Sequence, residues 1–305
     1  MKINICYDMI DRPHGGGNQF LKALREEFIN RDGLYTDNHK DADIILFNSH
    51  HAIEKITEIK SLYPNKLFVH RVDGPIRLYN TMDDNRDFIV YHLNKNIADA
   101  VVFQSGWSRM ANLNLGMDIA RKPSTIICNA PDSRIFNSSI KKKENNKISL
   151  IATSWSDNIK KGFRYYDFLD KNLNYNKYDF FFAGRSPIEF ENINMLGTLN
   201  SKQLAKRLQS CDIFVTASEN DPCSNSLIEA LFCGLPAVAL NSGGHPEIIQ
   251  KAGLFFETAE ELLERLEDMS SRIDTFKKEI SVKPIKEISS EYISFFNLCL
   301  QTKKS

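Results

Sequence analysis

Val215-Thr-Ala-Ser-Glu219-Asn-Asp221-Pro222-Cys223-Ser224-Asn225-Ser226-Leu-Ile-Glu229-Ala-Leu-Phe-Cys233-Gly234-Leu-Pro236-Ala-Val238 is the stretch that decides the fold. It opens on an apolar, β-branched run and passes through an acidic loop containing Pro222. It then enters an apolar helix capped by the small polar residues Ser224, Asn225 and Ser226. Gly234 ends that helix, and Pro236 stands at the start of the next apolar run. A continuous apolar strand, a helix and another such strand form the repeating unit of a parallel sheet covered on both faces.

The same alternation extends in both directions. Short β-branched or aromatic runs occupy residues 3–7, 43–47, 67–70, 100–104 and 125–128, then 148–153, 179–183, 213–217, 237–240 and 253–256. Amphipathic stretches lie between them, for example 19–29, 162–169, 202–211 and 226–233. Two successive sets of this kind predict an α/β protein with two doubly wound domains. The length of 305 residues accommodates two domains at about 100–200 residues each. The polar, breaker-rich segment 137–147 reads as a linker, which puts the domains at 1–140 and 147–287. The tail from 259 to 304 is helical and charged, long enough to fold back, with 288–305 able to pack on the first domain.

Composition removes several classes. Thirty-nine basic residues balance 39 acidic ones, so nothing supports nucleic-acid binding, which wants a basic domain or stripe. No apolar run reaches the ~18 residues of a membrane span, and the first residues lack the pattern of a signal peptide. Lys277-Lys278 and Lys303-Lys304 fall short of the clusters of about 4–8 that anchor proteins to anionic surfaces, which leaves only peripheral membrane contact open. Six scattered cysteines with no C-x-x-C pair read as free thiols in a reducing, cytoplasmic setting.

In open α/β sheets, ligands bind beyond the carboxyl ends of the strands. The first strand runs into His14-Gly15-Gly16-Gly17, which either lets the backbone approach an anion or serves as a flexible turn. It is not the G-x-G-x-x-G of dinucleotide enzymes, which argues against an NAD-type oxidoreductase. The third strand ends in His70-Arg71-Val72-Asp73-Gly74-Pro75, suited to polarising a hydroxylated ligand or to a turn capped by Asp73. Lys160-Lys161-Gly162 and Arg185 follow later strands, where cations can neutralise a phosphate. Asp221 and Glu229 lie eight residues apart with a helix N-terminus between them. One carboxylate can then hold sugar or ribose hydroxyls while backbone N–H groups hold a diphosphate. Asn241-Ser-Gly243-Gly244-His245-Pro-Glu247 is another glycine loop before a helix. Asp83-Asp84-Asn85 reads as a solvated loop or helix cap rather than a metal site, and no divalent metal is expected.

Asp221-x7-Glu229, the following Ala230-Leu-Phe-Cys-Gly234-Leu-Pro236-Ala-Val238 and Gly243-Gly-His-Pro-Glu247 together resemble the donor site of GT-B glycosyltransferases of family 4 (glycosyl transferases group 1), which are retaining nucleotide-sugar enzymes. Lys161-Gly162 is similar to the diphosphate-binding Lys-Gly of that family, Gly15, Gly16 and Gly17 to its N-terminal glycine loop, and Asn129 with Phe136 to its segment before the linker. The resemblance implies two Rossmann-like domains facing each other across a cleft, with the C-terminal helix crossing back to the first. It implies transfer of a hexose from a UDP- or GDP-sugar to a hydroxyl of a glycan, lipid or protein-linked acceptor. Neither metal nor cofactor is implied, since the nucleotide sugar is a substrate. By the same resemblance Glu229 binds ribose, and Asp221 lies near the sugar hydroxyls and leaving phosphate. Cys223, Ser224, Asn225 and Ser226 lie against the sugar and diphosphate. Lys161, aided by Arg185, neutralises the diphosphate, and Gly16 and Gly17 cover it. His70 or Asp73 approaches the acceptor hydroxyl. Two departures stand out: the family has Glu where Asp221 stands, and an Arg where this chain has Trp155-Ser156. They keep a non-catalytic nucleotide-sugar binder of the same fold as the alternative.

Overall fold

A computed structural model describes residues 1–11, 15–138 and 146–304. The chain divides into two compact units. Met1–Ile10, Gly17–Asn129 and Lys283–Ser305 form the first, and Asp11–Gly16 with Ala130–Val282 form the second. The division falls at Asn129, ahead of the polar 137–147 segment, of which 139–145 lie outside the described residues.

In the first unit β1 (Ile3–Cys6), β2 (Ile44–Asn48), β3 (Leu67–Val72), β4 (Ala100–Phe103) and β5 (Ser124–Ile126) pair in that order, all parallel. Helices α1 (Gly16–Ile29), α2 (Ile53–Leu62), α3 (Ile76–Tyr79), α4 (Arg86–Asn96) and α5 (Gly106–Asn114) connect them. After α1 the chain makes a parallel bridge from Tyr35 to Ile3, with the Ile3 amide 2.7 Å from the Leu34 carbonyl. It then crosses to β2, which pairs with β1 along its whole length, Ile3–Cys6. The winding therefore reverses at β1, and right-handed crossovers put α1 on one face and the later helices on the other. On that second face Ile56 and Ile59 of α2 and Leu93 of α4 share a core with Ile45, Phe47 and Phe68.

The second unit holds β6 (Ile148–Ser154), β7 (Tyr178–Gly184), β8 (Asn194–Gly197), β9 (Ile213–Thr216), β10 (Ala237–Leu240) and β11 (Gly253–Phe256). Their order is β11-β10-β9-β6-β7-β8, again parallel throughout. A 3₁₀ turn, Ile159–Lys161, leads into α6 (Phe163–Asn172), followed along the chain by α7 (Ser201–Leu208), α8 (Asn225–Phe232), α9 (His245–Ile249), α10 (Ala259–Ser271) and α11 (Ile273–Lys278). The chain winds outward from β6 through β7 to β8 and then returns to the other edge of β6 with β9. The switch between β6 and β9 opens a crevice at their carboxyl ends. Tyr166, Phe180 and Phe182 pack edge to face beneath it, each buried to 1% or less.

The strand β8 has no counterpart in the sequence reading. Its Asn-Met-Leu-Gly is mostly exposed at a sheet edge, so it lacks the buried alternation that marks a strand. β3, in turn, runs two residues beyond the expected 67–70 and takes in Arg71 and Val72. The charged tail is shared out: α10 and α11 belong to the second unit, while the last helix, α12 (Ile285–Lys304), belongs to the first. There Tyr292 and Phe296 meet Phe20 and Phe28 of α1 at ring distances of 6.3 and 6.4 Å. Arg31 donates to the Ser289 and Ser290 hydroxyls at 2.9 and 2.8 Å.

Candidate functional site

The crevice of the second unit is built by close backbone approaches. Gly162 follows the 3₁₀ turn with φ at +82°, and a Cβ there would lie 2.2 Å from the Ala217 carbonyl oxygen. Only glycine lets the end of the turn rest on the exit of β9. As a result Lys161 reaches the loop after β9, where its Nζ is 3.1 Å from Asp221 Oδ2. From the other side Gly243, at φ +61°, packs against the Asp221 backbone, and the Gly244 amide donates to the Asp221 carbonyl at 2.9 Å. The Asn220 amide donates to Ser242 Oγ, also at 2.9 Å. The two loops are clamped together, so Asp221 is held from both flanks.

The charges follow from this packing. Burial alone would push the Asp221 carboxyl up, but Lys161, His245 and the Cys223 amide outweigh it and hold it below the usual carboxylate range. Cys223 and Ser224 are buried, and Ser224 precedes α8 without bonding its first amides through its side chain; its Oγ meets Ser226 Oγ at 3.3 Å instead. The first turn of α8 thus takes no cap from the Ser224 side chain. Glu229 sits one turn further on, 9% exposed, its carboxyl without a hydrogen-bond or ion-pair partner among the described residues. Burial pushes its carboxyl up to about 8. A Cβ at Gly16 would come within 2.5 Å of the Asn225 side chain, both residues belonging to the second unit.

Lys161, Asp221, Cys223, Ser224, Asn225, Ser226 and Glu229 therefore share one switch point. Other candidates lie elsewhere. Arg185 leaves β7, but its guanidinium donates to the Trp155 carbonyl at 3.0 and 2.8 Å and pairs with Asp157 at 3.3 Å. It braces the Trp155 loop. Gly17 is the second residue of α1.

His70 is corrected by the structure. It lies inside the central strand β3, wholly buried, stacked on Phe47 at 4.4 Å, with Nε2 2.9 Å from the Ser49 carbonyl. A strand covered on both faces leaves such a side chain no access to an acceptor, and burial drives its imidazole down to about 3. Asp73, at the end of β3, keeps a 24% exposed side chain. Arg71, one of the largest fully buried side chains, bonds Asp73 at 3.2 Å and Asn129 at 2.6 Å, and Gln104 also donates to Asp73. Asp84 is bonded by Arg86 and Asn80, and Asn85 stands at the N-cap position of α4 without a side-chain cap bond. Among the described residues no group of three or more His, Cys, Asp or Glu side chains could hold a metal ion. Among the described residues no helix is long and apolar enough to cross a membrane.

Residues 190–275 match the family described as glycosyl transferases group 1. Over 106 residues the chain is 32% identical to the sulfoquinovosyl transferase SQD2 of Arabidopsis thaliana, covering 32% of this chain and only 20% of that relative. Structural similarity spans the whole chain. Anabaena Alr3699/HepE, solved with UDP-glucose, superposes with a TM-score of 0.69 at 14% identity, covering 99% of both chains. Sucrose-phosphate synthase from Thermosynechococcus elongatus gives 0.71 at 13%, covering 99% of this chain and 97% of that one. The catalytic domain of Arabidopsis thaliana starch synthase IV, bound to ADP and acarbose, gives 0.76 at 11%, covering 98% and 99%. The fold is thus that of the GT-B glycosyltransferases. Within it, residues 190–275 carry the group 1 glycosyltransferase segment.

Proposed function

We propose that the protein is a retaining glycosyltransferase that moves a hexose from a UDP- or GDP-sugar onto a hydroxyl of a glycan, lipid or protein-linked acceptor without a metal ion. The observation that carries this reading is Glu229, a buried carboxyl with no hydrogen-bond or ion-pair partner among the described residues, one turn into α8 and eight residues after Asp221, which pairs with Lys161. A buried carboxylate without a donor is costly unless a ligand supplies one, and the paired hydroxyls of a ribose do so. The first amides of α8 and Lys161 then receive the diphosphate. Breaking the sugar–phosphate bond places negative charge on that diphosphate, where preorganised donors stabilise it. Asp221 accepts from a sugar hydroxyl. Asp73, held by Arg71 and Gln104, accepts from the acceptor hydroxyl in the first unit. HepE and starch synthase IV, solved with UDP-glucose and ADP, support a nucleotide-linked donor.

Calorimetry with UDP- and GDP-sugars tests the reading. Wild-type protein is expected to bind at least one of them, and Glu229→Ala to lose that binding with its circular dichroism unchanged; unaltered affinity in the variant would count against the assignment. A second reading, a binder without turnover, is favoured by Trp155 in place of the family's arginine and by the engagement of Arg185 with the Trp155 carbonyl. Donor binding with neither hydrolysis nor transfer across an acceptor panel would establish it.

A further inference from the structure

His245 opens α9 and is completely buried. Its Nδ1 lies 2.9 Å from the Leu240 carbonyl. A carbonyl only accepts, so Nδ1 carries the hydrogen and Nε2 presents a bare lone pair. That Nε2 is buried with no hydrogen-bond partner among the described residues. The ring stands on the loop clamped to Asp221 through the Gly244 amide and Ser242. The charged groups that bear on it are Asp221 and Lys161, of opposite sign.

Asp221 has one ion-pair partner among the described residues, Lys161. A nucleotide diphosphate arriving at the start of α8 competes for the same ammonium. We propose that His245 is a positioning residue that takes up a proton at Nε2 and balances Asp221 when Lys161 turns to the diphosphate of a bound donor, an inference that rests on the donor reading above. The proton comes from solvent, and the Nδ1 bond to Leu240 survives the change. Burial keeps the imidazole low in the free protein, and Lys161 adds to that effect while Asp221 opposes it. Once phosphate charge matches Lys161, its opposition falls and the attraction of Asp221 remains. The carboxylate then stays ionised and oriented for the sugar hydroxyl.

Two measurements test this. The first needs no ligand: NMR titration of the His245 imidazole, assigned by its loss in His245→Asn, in wild type and in Lys161→Met. Removing the competing cation is expected to raise the titration midpoint of His245 by about one pH unit or more. Lys161→Gln serves if the methionine variant folds poorly, and an unmoved titration overturns the coupling. The second is calorimetry with UDP in two buffers of unequal ionisation enthalpy. Wild type is expected to take up more protons per UDP bound than His245→Asn, with any proton exchange at Glu229 common to both and cancelling in the difference. Equal uptake in the two proteins overturns the role of His245. If UDP does not bind, GDP takes its place; if neither binds, the donor reading falls, whereas the ligand-free titration still judges the Asp221–Lys161–His245 coupling on its own.

Discussion

Burial holds the Glu229 carboxyl well above the ordinary carboxylate range. Its folded value of about 8 stands above the ordinary 4.5, so the folded protein holds a proton that the unfolded chain gives up. The contribution is fully present below pH 4.5 and is lost as pH rises through 8. A tenfold change in proton affinity corresponds to about 1.4 kcal/mol, which makes the total at most a few kcal/mol. Thermal melts from pH 4.5 to 8.5 are expected to show Glu229→Gln gaining on wild type toward the alkaline end; parallel curves would mean the carboxyl is already ionised in the fold. At this scale the sequence was a good guide to placement, since spacing alone put Asp221 and Lys161 beyond strand ends and Glu229 on the helix that follows, where the structure has them. It was a poor guide to His245 and His70. The tautomer of the first depends on a carbonyl five residues earlier, and the burial of the second depends on how far β3 extends.

Turns decide whether those side chains meet. Gly162 joins the Lys161 turn to the exit of β9, and a methyl group there collides with the Ala217 backbone at a positive φ. Gly162→Ala is expected to cost about 1–3 kcal/mol and to lower the melting temperature. Gly17→Ala makes the control: its Cβ meets nothing within 4 Å inside a helix, where alanine is favoured by about 0.5–1 kcal/mol. Similar melting temperatures for the two variants would show that the turn relaxes. Strong elements were legible because buried runs such as Ile213–Thr216 are continuous and apolar. β8 was not, because an exposed edge strand is specified by its neighbour rather than by its own residues.

At the scale of the whole chain, two windings of a parallel sheet followed from alternation alone. The boundary did not. A polar segment at 137–147 drew it later than Asn129, where the contacts divide, because solvated composition marks where a chain is wet rather than where a core ends. The tail was expected to pack on the first domain from 288 onward, and α12 is grouped with the first unit, where aromatic contacts that no local pattern announces hold it. Burying Phe20 and Phe28 is worth about 1.5–3 kcal/mol each. Deleting residues 283–305 is expected to abolish the thermal transition of the first unit and to spare that of the second; a single unchanged transition would refute the division of labour. The discontinuity also bears on birth at the ribosome. The second unit is complete once Val282 has emerged, whereas the first, begun earlier, waits for α12. During that interval the apolar flank of α1 stands open to chaperones, and the half translated first is the half finished last.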